Sequence, residues 1–91
     1  MKQIRVLITG RVQGVWYRGW TVTKATELGI KGWVRNLSSG QVEAVFVGEK
    51  STVEAMVVSC WQGPDLAKVK AVETFEDTSE LEGREIFVQI R

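Results

Sequence analysis

The sequence predicts an α+β fold in which strands and helices follow the order βαββαβ, with one further short strand near the C-terminal end. Two observations predict it. Several short segments alternate apolar and polar residues, as strands do when one face lies against a core. Two longer segments between them space their apolar residues at helical intervals. The 91 residues suffice for one small core, so we expect a single domain over residues 1–91.

The first part of the chain reads as a strand followed by a helix. Residues 3–9 alternate apolar and polar side chains and form the predicted first strand. A loop bounded by Gly10 and Gly14 follows, and the spacing of apolar residues then predicts a helix from Trp16 to Leu28. Gly29 suits the left-handed conformation in which many helices end.

A hairpin and a second helix are predicted in the middle of the chain. Residues 31–37 and 41–47 are the predicted strands, joined by a Ser-Ser-Gly turn. The segment Ser51-Thr-Val-Glu54 has the form of a capping box, which predicts that Ser51 caps the second helix. The pair Gly63-Pro64 is expected to stop that helix.

Two strands complete the pattern. Residues 67–75 form the predicted fourth strand, and Ile86, Val88 and Ile90 alternate with other residues in a short final strand after a polar loop at 77–85. This order fits a ferredoxin-like sandwich, an antiparallel sheet with both helices on one face.

The composition excludes several kinds of active site. The chain has no histidine, which removes the commonest general base and the commonest metal ligand. Its single cysteine, Cys60, cannot complete a zinc site or an internal disulfide. A net charge of +1 is small for a protein that holds long polyanions, and neither a signal peptide nor a membrane span is apparent. We expect a cytoplasmic monomer with no metal, no cofactor, and no nucleic-acid or membrane partner.

The segment from Gly10 to Arg18 is the strongest functional signal. It sets two glycines between a strand pattern and a helix pattern and then places Arg18 just inside the helix. A helix N-terminus carries partial positive charge, so an arginine there is unfavourable unless an anion lies nearby. Free N–H groups of a glycine-rich loop are what a bound phosphate needs. The segment therefore predicts an oxyanion site, most simply for phosphate.

Asn36 is the second candidate, at the end of the second predicted strand. Its residue type before a turn is common, and that role alone would explain it. In a βαββ arrangement, however, this strand end lies within reach of the loop after the first strand. An amide there could orient a water molecule without acting as a base.

Several aromatic and acidic residues have more than one interpretation. Trp16 and Trp20 lie one helical turn apart and either line the anion pocket or pack against its surroundings. The carboxylates, Glu43 among them, are scattered over outward faces and are expected to be solvated. Cys60 belongs to the apolar stripe of the second helix and is expected to be inert.

Two long segments closely resemble the signatures of the acylphosphatase family. They are GRVQGVWYR at Gly10–Arg18 and GWVRNLSSGQVEA at Gly32–Ala44, and weaker agreement extends over essentially the whole chain. The resemblance implies an acylphosphatase-like domain with the ferredoxin-like fold. It also implies an enzyme that hydrolyses small acyl phosphates to a carboxylate and inorganic phosphate, without a metal.

The resemblance further implies a role for each signature residue. Arg18 would bind the phosphate together with the loop amides, and Asn36 would position the attacking water. Trp16 and Tyr17 stand where smaller residues or phenylalanine are common in the family, so they are expected to narrow the pocket or add an aromatic wall. Phosphate binding is assigned to Arg11, Val12, Gln13, Gly14, Val15, Trp16, Tyr17 and Arg18.

Two other functions remain as alternatives. Ferredoxin-like sheets often bind RNA on their open face, which would require basic and aromatic residues on the central strands. The third strand, with one phenylalanine and one acid, offers little of this. A non-catalytic domain that only binds anions is the other alternative, and the presence of both Arg18 and Asn36 argues against it.

Overall fold

A computed structural model describes residues 1–79 and 86–90 of the chain. Within these residues, five strands and two helices follow one another in the predicted order. The elements are β1 (Lys2–Arg11), α1 (Tyr17–Glu27), β2 (Lys31–Asn36), β3 (Val42–Gly48), α2 (Lys50–Cys60), β4 (Lys68–Glu76) and β5 (Phe87–Gln89).

The strands form one sheet in the order β4-β1-β3-β2-β5. The four long strands pair antiparallel throughout, so the predicted ferredoxin-like sandwich is confirmed. The added strand β5 pairs parallel with β2, opposite Gly32–Val34, and makes the sheet mixed at that edge. This pairing brings Gln89 close to the end of β2.

The core lies between the sheet and the two helices. Alternate residues of β1 and β3 face the helices and are buried, as strand periodicity requires. Helix α1 contributes Tyr17, Thr21 and Ala25 to this core. Helix α2 contributes Val53, Met56 and Cys60, while Val57 is only partly buried against the core.

Two details of the sequence prediction are wrong. Ser51 does not cap α2: the N-cap is Glu49, two residues earlier, and no side chain caps the helix. The first backbone hydrogen bond of α2 runs from the N–H of the fully buried Val53 to the Glu49 carbonyl at 2.9 Å. In β5 the buried residue is Phe87, stacked on Phe46, whereas Ile86 is exposed.

The open face of the sheet carries an ion-pair cluster. Glu43 on β3 is buried, contrary to the expectation that it is solvated, and accepts hydrogen bonds from Arg5 at 3.1 Å and Arg35 at 2.7 Å. The same guanidinium groups lie over the rings of Phe75 and Trp33. The cations and aromatic rings of this face are therefore largely satisfied by one another.

Tyr17 ties the start of α1 to the end of α2. Its ring is buried in the core, and its hydroxyl donates a hydrogen bond of 2.6 Å to the carbonyl oxygen of Cys60. Gly63 makes room for that ring, because a Cβ at this position would lie 2.6 Å from Tyr17 Cε2. The loop that precedes Tyr17 is thus anchored on the second helix.

Burial of Cys60 predicts a specific loss of stability at alkaline pH. Burial raises the pKa of this thiol to about 12, compared with about 8.5 for an exposed thiol. The unfolded chain therefore releases the proton first, so the stabilisation is complete below about pH 8.5 and is lost as pH rises toward 12. Between pH 7.5 and 9.5, we expect the wild type to lose about 1 kcal/mol more of its free energy of unfolding than Cys60→Ala does.

Urea unfolding of both proteins at the two pH values, under reducing conditions, measures this difference. Comparing each protein with itself cancels the cavity that Cys60→Ala creates. An equal loss in wild type and variant would contradict the assignment to the thiol.

Candidate active site

The loop between β1 and α1 has the backbone pattern of an anion-binding concavity. Gly14 and Trp16 have positive φ angles of 75° and 68°, so the sign of φ alternates along this segment. Such alternation turns successive N–H groups toward a common point. Within residues 1–79 and 86–90, no backbone acceptor is found for the N–H groups from Gln13 to Gly19.

The first turn of α1 also favours a bound anion. It has no acidic residue and no side-chain cap, so its N–H groups and the positive end of the helix dipole face the loop uncompensated. The first backbone hydrogen bond of the helix runs from the Trp20 N–H to the Trp16 carbonyl at 3.0 Å. The loop and the helix start together present a run of free donors.

The side chains of this segment point in different directions. Three of them are buried in the core and fix the loop backbone there: Val12, Val15 and Tyr17. Trp16 lies on the outside, with 65% of its surface exposed. The Tyr17 ring is a core residue, so the expected narrowing or aromatic wall of the pocket can come from the ring of Trp16 but not from that of Tyr17.

A cavity of about 120 Å³ is lined by this loop and the start of α1. The end of β2 contributes Asn36 to it, and the adjacent β5 contributes Gln89. The structure thus brings Arg18 and Asn36 to one pocket, as the βαββ order suggested. Its lining from the loop and the start of α1 is Val12, Gln13, Gly14, Trp16, Tyr17, Arg18 and Gly19.

Two of the predicted phosphate-binding residues lie outside the lining of this cavity. Arg11 is exposed at the end of β1, and its register partner in the sheet is Lys68 of β4. Val15 directs its side chain into the core and borders a neighbouring groove.

Arg18 and Asn36 each carry an unused polar group. The Arg18 side chain is half-buried, and no hydrogen bond or ion pair joins it to another described residue. The Oδ1 atom of Asn36 is the buried side-chain polar atom that lacks a partner among the described residues. Leaving such groups unpaired costs stability, about 1–3 kcal/mol for a buried acceptor, so both indicate a ligand-binding role.

Comparison with known proteins agrees with this geometry. The family model described as Acylphosphatase matches residues 4–88. An acylphosphatase of Rhodospirillum rubrum is 56% identical over 69 residues, which cover 76% of each chain. The chain belongs to the acylphosphatase family.

Solved structures of the family have the same fold. The crystal structure of acylphosphatase from Bacillus subtilis superposes with a TM-score of 0.92 at 32% identity and covers 100% of both chains. An acylphosphatase from Coxiella burnetii gives a TM-score of 0.89 at 37% identity, covering 98% of this chain and 92% of that one.

Gln13 is a site residue whose side-chain role the sequence did not reveal. Its Nε2 atom donates to the carbonyl oxygens of Leu37, at 2.8 Å, and Gln41, at 2.9 Å. Gln41 in turn donates to the hydroxyl of Thr9 at 3.0 Å. These bonds join the loop between β1 and α1 to the turn that follows Asn36. A long amide side chain between Gly10 and Gly14 is the only sequence signal of this contact.

Gln89 was also missed, because its position depends on how β5 pairs with β2. Val34 is its register partner, and Asn36 lies two residues further along the same face of β2. The described residues hold no group of three or more cysteine, aspartate or glutamate side chains suited to a metal ion. Among the helices described, none is long and apolar enough to cross a membrane.

Replacing Gln13 with alanine tests the connection between loop and turn. The variant loses both hydrogen bonds of the Gln13 amide, so we expect it to be about 1–2 kcal/mol less stable to urea and to bind phosphate more weakly. Gln62→Ala is the matched control, since Gln62 is an exposed glutamine outside this pocket. Equal effects of the two substitutions on unfolding would rule out a structural role for the Gln13 amide.

Proposed function

We propose that Arg18, the loop N–H groups and Asn36 together form the catalytic centre of this acylphosphatase-family enzyme. The enzyme is a hydrolase that cleaves acyl phosphates to a carboxylate and inorganic phosphate. One observation supports the assignment of the site above all others. A single cavity is lined by a guanidinium, a run of backbone N–H groups and a buried amide oxygen, all of which lack a partner among residues 1–79 and 86–90.

The chemistry of an acyl phosphate suits a site of this composition. Its leaving group is a carboxylate, a weak base with a conjugate-acid pKa of about 4–5, so departure requires no strong general acid. Among the described residues, the titratable residues in the lining of the cavity are Arg18 and Tyr17. Burial raises the pKa of the Tyr17 hydroxyl above its ordinary value, and this hydroxyl already donates its proton to the Cys60 carbonyl. Catalysis must then come from positioning and charge stabilisation.

Phosphate binding is assigned to Arg18 and the loop. The planar guanidinium can donate two parallel hydrogen bonds to phosphate oxygens, and N–H groups between Gln13 and Gly19 can donate to the others. Both sets of donors, with the helix dipole, attract the negative charge that the phosphoryl oxygens carry. Arg11 would add only long-range attraction, since its side chain is exposed outside the cavity.

Positioning of the water is assigned to Asn36. A water molecule donates one hydrogen bond to Oδ1 and directs its lone pair at phosphorus. The new O–P bond forms as the bond between phosphorus and the acyl oxygen breaks, and the carboxylate leaves with that electron pair. The proton released by the water passes to a phosphate oxygen of the substrate. No side chain needs to act as a base.

Neither alternative function gains support from the molecule. An RNA-binding face needs free basic and aromatic groups, whereas Arg5 and Arg35 are paired with Glu43 and lie over aromatic rings. A domain that only binds anions would have no use for the buried, unpaired Oδ1 of Asn36.

Further proposals concern the molecule as a whole. Residues 1–91 form one acylphosphatase-like domain that acts as a monomer, without a metal or cofactor. A cytoplasmic location is proposed because the single cysteine is free and buried.

Loss of Arg18 should abolish both turnover and phosphate binding. We expect Arg18→Ala to lower kcat/KM for benzoyl phosphate by about 100-fold or more, because it removes a charged contact to the transition state. Wild-type turnover should be unaffected by EDTA. Inorganic phosphate should raise the melting temperature of the wild type but not of Arg18→Ala.

Lys70→Ala is the matched control, because it removes an equal charge from an exposed position on β4. The unliganded Arg18→Ala protein should be as stable as the wild type or slightly more so, since an unfavourable dipole interaction is lost. A variant that unfolds would identify Arg18 as a structural residue instead.

Loss of Asn36 should separate turnover from binding. We expect Asn36→Ala to lower kcat by about 10- to 100-fold, because the water loses its orienting acceptor. The inhibition constant of inorganic phosphate should change by less than about threefold, since the proposed phosphate donors remain. Steady-state kinetics with phosphate as inhibitor measure both quantities. A parallel loss of phosphate affinity would contradict the proposed role.

A further inference from the structure

A second and larger cavity adjoins the proposed phosphate pocket. It is a groove of about 600 Å³ between the start of α1 and the segment that follows α2. Trp16 and Trp20 line it on one side, and Pro64 and Leu66 line it on the other. Trp16 borders both cavities and therefore forms the boundary between them. The assignment of Arg18 and Asn36 leaves this groove unexplained.

Gly19 explains how Trp16 is held at that boundary. A glycine makes a helix less stable than an alanine at the same position would. The φ angle of Gly19 is not positive, so the backbone conformation does not require a glycine there. A Cβ at Gly19 would overlap the indole of Trp16, with Nε1 the nearest atom. The indole therefore lies directly on the backbone of α1, in space that any larger residue at position 19 would occupy.

The backbone of Trp16 is also unusual. It has a φ of 68°, a conformation that bulky residues rarely adopt. This conformation turns the tryptophan outward between the buried residues Val15 and Tyr17. Both the strained backbone and the helical glycine thus serve to place one exposed aromatic ring beside the phosphate pocket.

We propose that the groove binds the acyl group of the substrate and that Trp16, seated on Gly19, selects for aromatic acyl groups. The inference rests on the proposed phosphate site. The leaving carboxylate must depart opposite the attacking water in an in-line displacement. Asn36, which holds the water, lines the phosphate pocket but not the groove. An acyl group on the side of the phosphate opposite Asn36 would therefore extend past Trp16 into the groove.

The lining of the groove has an apolar part that fits a planar apolar group. Two indole rings, Pro64 and Leu66 supply flat and apolar surfaces, and Leu66 is 73% exposed. The polar part of the lining consists of Lys24, Ser59, Gln62 and Asp65. An acetyl group is too small to reach far along a groove of this size, whereas a benzoyl ring can stack on the Trp16 indole. The groove therefore favours benzoyl phosphate over acetyl phosphate.

The test compares kcat/KM for these two substrates in the wild type and four variants. Trp16→Asn removes the ring while keeping a residue that tolerates positive φ, and Gly19→Ala displaces the ring without removing it. Leu66→Ala trims the far side of the groove. Val58→Ala is the matched control, because Val58 is similarly exposed, at 70%, but lies outside the groove.

We expect the ratio of benzoyl to acetyl phosphate kcat/KM to fall about fivefold in Trp16→Asn and in the same direction in Gly19→Ala and Leu66→Ala. The ratio should not change in Val58→Ala. Benzoate should inhibit the wild type more strongly than Trp16→Asn, which gives a readout independent of turnover. An unchanged ratio in Trp16→Asn and Gly19→Ala would overturn the inference.

Failure of this inference is distinguishable from failure of the proposed site. A wild type that hydrolyses both substrates, with Arg18→Ala inactive and the ratio fixed in every groove variant, would retain the site and overturn the groove proposal. A wild type equal to Arg18→Ala on acetyl phosphate would overturn the proposed site and the groove proposal with it.

Discussion

The buried hydrogen bond from the Tyr17 hydroxyl to the Cys60 carbonyl is the constraint on which the site depends. It fixes the first residue of α1 against the last residue of α2. With Tyr17 held inward, the neighbours on either side must face elsewhere, so Trp16 projects outward and Arg18 lines the pocket. Three consecutive residues therefore have three different surroundings: Trp16 lies at the boundary between the two cavities, Tyr17 lies in the core, and Arg18 lines the proposed phosphate pocket.

The parts of this arrangement that the sequence predicts are those encoded locally. The glycine-bounded loop and the arginine in the first helical turn conflict with local rules, and such conflicts mark functional sites. Asn36 could be placed beside the loop because the βαββ order puts the two strand ends together. By contrast, Gln13, Gln89 and the burial of Glu43 depend on strand register and on contacts between distant segments, which periodicity does not encode. The capping box at Ser51 shows the same limit, since α2 begins at Lys50 and no side chain caps it.

Composition and chemistry agree with each other in this molecule. A chain without histidine cannot offer the usual base, and a reaction with a carboxylate leaving group does not need one. The site can then be built from backbone N–H groups, one guanidinium and one amide. We therefore expect the proposed site to act by positioning and charge stabilisation rather than by proton transfer from a side chain. The pH sensitivity of the protein should arise instead from buried Cys60 and Tyr17, through stability at alkaline pH.

A small domain can carry only a few unfavourable groups, because its net stability is small. Here they are concentrated in one place: the unpaired Arg18, the buried Oδ1 of Asn36, the positive φ of Trp16 and the helical Gly19. The rest of the described chain compensates with a continuous core and a paired ion cluster on the open face. In the proposed site, bound substrate would supply partners for these side chains: phosphate for Arg18, a water molecule for Asn36 and an acyl ring for Trp16. Substrate binding should therefore stabilise the fold at the positions where the free protein is weakest.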